Sequence, residues 1–407
     1  NQQAIGPRLP WHDIHCKVSG PVCASLLKNF VDRWDDNALK VDIPQLEALC
    51  IFENHTQQNL GDDAKWAIQL HRSFPGGERG IQHAMVNAIK KAEKYIYIEN
   101  QYFISQHQDG TSNLQNQIAN ALADKIIEKL DSDQEFCVYI VLPMFPEGNG
   151  HPDGWRCQYF LYLEFNTIQH IYKRINAALN AYDQRHPDVK VHPTDYLQVY
   201  CLGNLEADVK FPFDVNGLQG RHREGVKNKR YMVYVHSKLM IVDDEYIMVG
   251  SANINERSLA GNRDTEIAIS AVRLPRQQQN VDEAPDAPQP NANDAPVTPS
   301  MAPHDEQSIA QFRSQLFAEH AGENYPKCEP KSRMHARETL YRANVNLGLF
   351  QNKKKMANGH LLPYVDVRYN KSVVEVLGNS ISDALGTSQG TDAGWFIEHT
   401  PIGGAFL

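Results

Sequence analysis

Apolar positions along this chain recur first at the spacing of a helix and then at that of a strand. In "GIQHAMVNAIKKAEKYIYIENQYFI", Ile81, Met85, Ile89 and Ala92 fall on one helical face. The β-branched and aromatic residues of "YIYIENQYFI" then predict a strand. The same order returns in "LADKIIEKLDSDQEFCVYIVLPMFPEG": a helix, a short polar turn, a strand over Phe136–Leu142 and a Pro/Gly stop. "FLYLEFNTIQHIYKRINAALNAY" predicts a third amphipathic helix and "DYLQVYCLGN" a further strand. "SIAQFRSQLFAEHAG" predicts a late helix ended by Gly322. Helices alternating with strands in this way predict an α/β fold, a sheet covered by helices on both faces.

The pattern fails in two places. From Pro275 to Gln307 the chain is rich in Pro, Asn, Gln, Asp and Ala and nearly free of bulky apolar residues, which predicts a disordered loop or linker. Beyond the late helix, Glu323 to Leu407 carries little periodicity, so an irregular tail is expected there. The chain therefore divides into a catalytic lobe over 1–274, a linker over 275–307 and a C-terminal helix and tail over 308–407, packed on the lobe.

Chemistry concentrates in "YVHSKLMIVDDEYIMVGSAN". Two β-branched and aromatic runs flank "DDE", a turn signal, and so predict a hairpin. Alternation along a regular strand puts His236, Lys238 and Met240 on one face. Ser251 and Asn253 are likewise two apart, just after Gly250, where backbone can come close to a ligand. An imidazole, an ammonium, a hydroxyl and an amide at one end of a hairpin are the tools of phosphoryl chemistry. His236 and Lys238 alone would better fit the solvated face of a half-exposed strand, a reading that the rest of the string overturns. Asp243 lies seven positions from His236, on the opposite face, where a structural role near the turn is expected.

The composition excludes several classes. Over 407 residues the chain is 42% hydrophobic and 22% charged, with a net charge of -9. That balance argues against a nucleic-acid binder held by bulk electrostatics. No apolar run reaches the roughly 18 residues of a bilayer span. Seven scattered cysteines without a CxxC pair indicate neither a zinc site nor a disulfide framework. "RHREGVKNKR", Arg221 to Arg230, is locally basic and fits either a solvated loop or contact with anionic lipid headgroups.

The string His236-x-Lys238-(x)4-Asp243, followed by "GSANINERS" and Glu266, resembles the HKD motif of the phospholipase D superfamily in its eukaryotic form. "PWHDIHCKVSGPV", "LHRSF", "VYIVLPMFPEG", "GNRDTEIAI" and "GHLLPY" resemble segments of plant-type phospholipase D, in the same order. The resemblance implies a mixed β-sheet flanked by helices, as one half of a pseudo-twofold enzyme that joins two HKD motifs in one site. It also implies release of phosphatidic acid and a free headgroup from phosphatidylcholine or a similar lipid, through a phosphohistidine, with transphosphatidylation when an alcohol replaces water.

Residue by residue, the resemblance makes His236 the general acid and base and Lys238 the phosphoryl neutraliser, with Asn253 and Ser251 as hydrogen-bond donors. Glu266 and Asp13 become histidine-orienting carboxylates. Glu99, Asn100 and Gln101, at the end of an apolar strand, are expected to line or support the site's mouth or to form a buried network. The motif needs no cofactor or metal, and Ca2+ enters only through the resemblance.

A second His-x-Lys-(x)4-Asp is absent from the sequence; His15-Cys16-Lys17 has Val22 where the Asp belongs. With Asn1 in place of an initiator methionine, the expectation is the C-terminal part of a longer enzyme, whose N-terminal part carries the other motif. The expected partners are that part and a phospholipid surface. Both a peripheral cytoplasmic and a secreted location fit. The alternative is a single-motif phosphodiesterase or nuclease that completes its site as a homodimer, and a non-catalytic lipid-binding fragment is a third reading.

Overall fold

A computed structural model describes residues 10–41, 66–105, 114–146, 155–205, 229–273 and 308–377, apart from 324, 326, 327, 353, 355, 357, 358, 371 and 372. The Pro-rich segment 275–307, basic residues 221–228 and everything after 377 fall outside the described residues.

In chain order the elements begin with β1 (Trp11–His12), α1 (Val22–Val41), β2 (Trp66–Phe74), β3 (Glu78–Arg79) and α2 (Gly80–Lys91). There follow β4 (Tyr95–Glu99), α3 (Ile118–Asp131), β5 (Cys137–Leu142), α4 (Trp155–Arg185), β6 (Leu197–Leu205) and β7 (Arg230–Val235). Then come β8 (Leu239–Val242), β9 (Tyr246–Gly250), α5 (Glu256–Leu259) and β10 (Glu266–Arg273). Last are α6 (Ile309–Ala321), α7 (Arg333–Gln351), β11 (Leu361–Pro363), β12 (Asp366–Asn370) and β13 (Val373–Leu377).

Strands β1–β11 form one mixed sheet in the order β1-β7-β6-β5-β4-β8-β9-β10-β2-β3, with β11 on β6. Strands β4, β5 and β6 run parallel at its centre. Both faces are covered, and the period-two alternation of side chains explains how. Ile96, Ile98, Val138, Ile140 and Leu142 join the core beneath α2, α3 and α4. Tyr95, Tyr97, Cys137, Tyr139 and Val141, their alternates, join a second core that includes Leu316 and Phe317 of α6 and Ala336 and Ala343 of α7.

Packing decides the helices. Ile168, Ile171 and Ile175 of α4 are fully buried at helical spacing. Each β-branched residue costs the helix less than about 0.7 kcal/mol in propensity. Burying each contributes roughly 1.5–3 kcal/mol. Burial wins.

Two sequence expectations need correction. The described residues between 325 and 377 are not an irregular tail, because they include α7 and a strand that joins the main sheet. The buried face of α7 is His335, Ala336, Thr339, Ala343, Asn346 and Phe350, a helical spacing that hydropathy misses because half of it is polar. Nor is His236–Lys238 part of a continuous strand. The hairpin is β8 and β9, closed through Asp243 and Asp244, whose left-handed φ values of 58° and 62° suit the twist of a tight turn.

Strand β7 lies elsewhere in the sheet. Leu202 of β6 pairs with Val233 of β7 and with Leu361 of β11, while Cys201 pairs with Leu142 of β5 and Leu362 of β11. A strand has two edges, so β5 and β7 share the edge opposite β11 and lie end to end. Leu239, starting β8, then pairs with Glu99 at the end of β4. Residues 236–238 therefore cross the carboxyl ends of the parallel strands, the place where α/β sheets assemble ligand groups.

Candidate active site

A cleft of about 480 Å³ opens at this crossing, lined among others by Asp13, Gln101, His236, Lys238, Ser251 and Asn253. Its walls come from distant parts of the chain. Strand β1 pairs in parallel with β7, and the His236 amide donates to the His12 carbonyl at 2.8 Å, which brings Asp13 beside the imidazole.

His236 Nδ1 and Asp13 Oδ2 are 2.8 Å apart. A carboxylate only accepts, so Nδ1 carries the proton and Nε2 is left for the cleft. Burial alone would raise the Asp13 carboxyl. The His236 hydrogen bond, the Ile14 amide and the charges of His236 and Lys238 outweigh it and hold Asp13 below the usual carboxylate range. The imidazole is one-third exposed, with the Trp11 ring 4.9 Å from it and the Tyr234 ring stacked at 6.4 Å. Lys238 Nζ donates to Gln101 Oε1 at 2.9 Å and to the His236 carbonyl at 2.5 Å. The Gln101 amide in turn donates to the Tyr234 hydroxyl at 2.8 Å, so one side chain ties the lysine to the ring beneath the histidine.

Opposite stands the start of the segment after β9. A Cβ on Gly250 would lie 2.6 Å from the Ile267 carbonyl oxygen, so only glycine lets β9 and β10 close up here. Ser251 Oγ donates to Glu266 Oε2 at 2.5 Å, and Ser258 Oγ donates to Glu266 Oε1 at 2.6 Å. Glu266 is therefore held by two serines, and among the described residues it makes no hydrogen bond to His236. Strand β10, with Glu266 as its first residue, is registered on β9 and β2, not on the strand that leads to His236. Asn253 lines the cleft with a buried Oδ1 that has no hydrogen-bond partner among the described residues. Such an atom is costly unless a ligand or water meets it.

Asp243 sits outside the cleft, where its carboxylate accepts from the amides of Glu93, Lys94 and Tyr95 at 2.6, 2.7 and 2.8 Å. Of the trio Glu99, Asn100 and Gln101, only Gln101 lines the cleft. Asn100 Oδ1 accepts from the amides of Tyr102 and Ile254 and so joins two loops. Glu99 is fully buried and does not line the cleft. It accepts from His12 Nε2 at 2.8 Å, His320 Nε2 at 2.9 Å, Tyr97 Oη at 2.6 Å and Ser237 Oγ at 2.5 Å. Neither Glu99 nor Asn100 is placed to bind phosphate.

Burial would push the Glu99 carboxyl up, but the hydrogen bonds and charges of the two histidines hold it well below the usual range. Burial would likewise lower His12, yet Glu319 and Glu99 raise it to about 10. The sequence reading missed His12, Ser237, Glu319 and His320. His12 adjoins Asp13 and Ser237 adjoins both motif cations, but polar residues next to a motif carry no signal of the direction in which they point. Of the basic run, Arg230 is buried against the carbonyls of Phe350 and Gln351 at the end of α7.

This arrangement can hold an anionic oxygen at an ammonium, present a proton-transferring ring nitrogen of fixed tautomer, and offer neutral hydroxyl and amide groups from the facing wall. The sequence model of the family described as Phospholipase D matches residues 1–76 and 77–379. Phospholipase D alpha 2 of Oryza sativa subsp. japonica is 38% identical over 307 residues, covering 65% of this chain and 36% of that protein. Phospholipase D alpha 4 of Arabidopsis thaliana is 39% identical over 285 residues, covering 65% and 36%. This chain thus spans about a third of the length of the curated relatives it matches. Among solved structures, the phospholipase D family member Nuc from Salmonella typhimurium overlaps 52% of this chain and 86% of its own, at 13% identity and a TM-score of 0.26.

Proposed function

Because the chain belongs to the phospholipase D family, we propose that it supplies half of a catalytic site that hydrolyses the distal phosphodiester of glycerophospholipids. The observation that carries the reading is the His236–Asp13 pair at the mouth of a cleft that also holds Lys238. Phosphatidylcholine or a similar lipid would yield phosphatidic acid and a free headgroup. Residues 1–274 act as the catalytic lobe, with 275–307 as a linker and the remainder packed on the lobe.

In this reading a second imidazole, from a segment outside this chain, attacks phosphorus and forms a phosphohistidine. His236, protonated on both nitrogens, gives its Nε2 proton to the leaving alcohol oxygen as the P–O bond breaks. Now neutral at Nε2, it takes a proton from water, whose oxygen attacks the same phosphorus and releases the nucleophile. An alcohol in place of water gives transphosphatidylation. Asp13 keeps the proton on Nδ1 and stabilises the imidazolium. Lys238 leaves Gln101 to neutralise a non-bridging oxygen, and Asn253, with Ser251 once its hydroxyl turns from Glu266, donates to the phosphoryl group.

The test is His236→Asn in the complete enzyme, read as headgroup release from phosphatidylcholine vesicles. A loss of about 10²–10⁴-fold with an unchanged fold is expected. Retention of more than about a tenth of the activity contradicts the reading. Cleavage of a simple phosphodiester by the 407-residue chain alone, eluting as a dimer, would favour the homodimeric phosphodiesterase instead.

A further inference from the structure

One residue behind the cleft lies a cluster that the phosphoryl chemistry does not use. His12 and His320 each set Nε2 against one oxygen of Glu99, at 2.8 and 2.9 Å. A buried carboxylate that accepts from Nε2 aims each ring and leaves Nδ1 as the atom that can ligate, in His12 once its Nδ1 proton is displaced. His12 Nδ1 stands 2.9 Å from Glu319 Oε1. His320 Nδ1 is buried without a hydrogen-bond partner among the described residues. One donor atom each from His12, Glu319 and His320 lie within 4.8 Å of one another.

We propose that His12, His320 and Glu319 bind a divalent transition-metal ion of the zinc class, with Glu99 as the outer carboxylate that aims both imidazoles. Two imidazoles and one carboxylate suit Zn2+, Co2+ or Ni2+ rather than Ca2+ or Mg2+, which take oxygen ligands. Ligand bonds of about 2.0–2.1 Å in a tetrahedron put donor atoms about 3.4 Å apart. The widest present spacing must therefore close by roughly 1.4 Å at most. The Glu319 side chain is 55% exposed and free to make that movement, and its open side gives the ion a way in and room for a bound water.

Such an ion would be structural for the cleft. It would pin α6 to the segment that carries Asp13 and, through Glu99, to Ser237, which lies between His236 and Lys238. The inference does not depend on the reaction proposed above. The competing occupant is a proton on His12 Nδ1, donated to Glu319 Oε1 while Nε2 donates to Glu99.

The full chain, stripped with a chelator and dialysed, would be titrated with Zn2+ alone against a chromophoric chelator, and with Co2+ in the visible. One equivalent of Zn2+ is expected, with d–d absorption from Co2+. Glu319→Gln, at an exposed position that leaves the fold intact, should weaken binding at least tenfold, and His320→Gln should abolish the Co2+ spectrum. Absence of a stoichiometric equivalent, or equal affinity in wild type and Glu319→Gln, would overturn the proposal and leave the proton as the cluster's occupant.

Discussion

Removing the Asp243 carboxylate tests whether the last letter of the motif serves the fold rather than the chemistry. Its two oxygens accept three backbone amides, from Glu93, Lys94 and Tyr95, where the chain leaves α2 and enters β4. A hydrogen bond to a charged group contributes about 1.5–3 kcal/mol when nothing replaces it. The Tyr95 amide bond is buried and counts in full; those of Glu93 and Lys94 are partly exposed, so water recovers most of theirs, leaving about 1 kcal/mol each. Alanine at a φ of 58° adds about 1 kcal/mol of left-handed strain. Asp243→Ala should therefore cost about 5 kcal/mol, a large fraction of the 5–15 kcal/mol typical of a folded domain. Asn tolerates the backbone and keeps one accepting oxygen, so Asp243→Asn should cost about 2 kcal/mol. Urea unfolding followed by circular dichroism measures both, with turnover of the complete enzyme expressed per folded molecule. A loss below about 1 kcal/mol for alanine would refute the three-amide account. So would a loss of more than about 10²-fold in turnover by well-folded Asp243→Asn, because it would make the carboxylate catalytic.

Asp13→Asn removes the acceptor that fixes the His236 tautomer and should lower kcat of the complete enzyme by about 10²-fold or more, with KM little changed; a loss under tenfold would show that something else orients the ring. Stability should also depend on alkaline pH through His12. Its pKa is raised on folding from 6.5 to about 10, so its contribution is full below 6.5, declines above that and is gone past about 10. Thermal melts of the metal-free chain between pH 7 and 10 should fall steeply, and His12→Gln should flatten the slope. Parallel slopes in the two proteins would place the alkaline loss elsewhere.

Local pattern carried much of this protein. Residue pattern predicted α2, β4, α3, β5, α4, β6 and α6, because the helices bury a periodic apolar face and the strands, buried on both faces, are runs of β-branched and aromatic residues. The turn at Asp243 and the membership in the family were legible from residue type and spacing, since both depend on near neighbours in the chain. Helix α7 was not, because His335, Thr339 and Asn346 on its buried face look like surface.

What joins the site was decided only by the tertiary structure. Asp13 and His236 are 223 residues apart, and nothing local couples them; they meet because β1 adds in parallel to β7. Sequence alone does not say which donors reach Glu266 and Glu99. The register of β10 gives the first to Ser251 and Ser258, and the end of β4 gives the second to His12 and His320. A carboxylate's type says what it can accept, whereas strand edges and crossings decide which donor arrives, and those are set by long-range packing across the whole sheet.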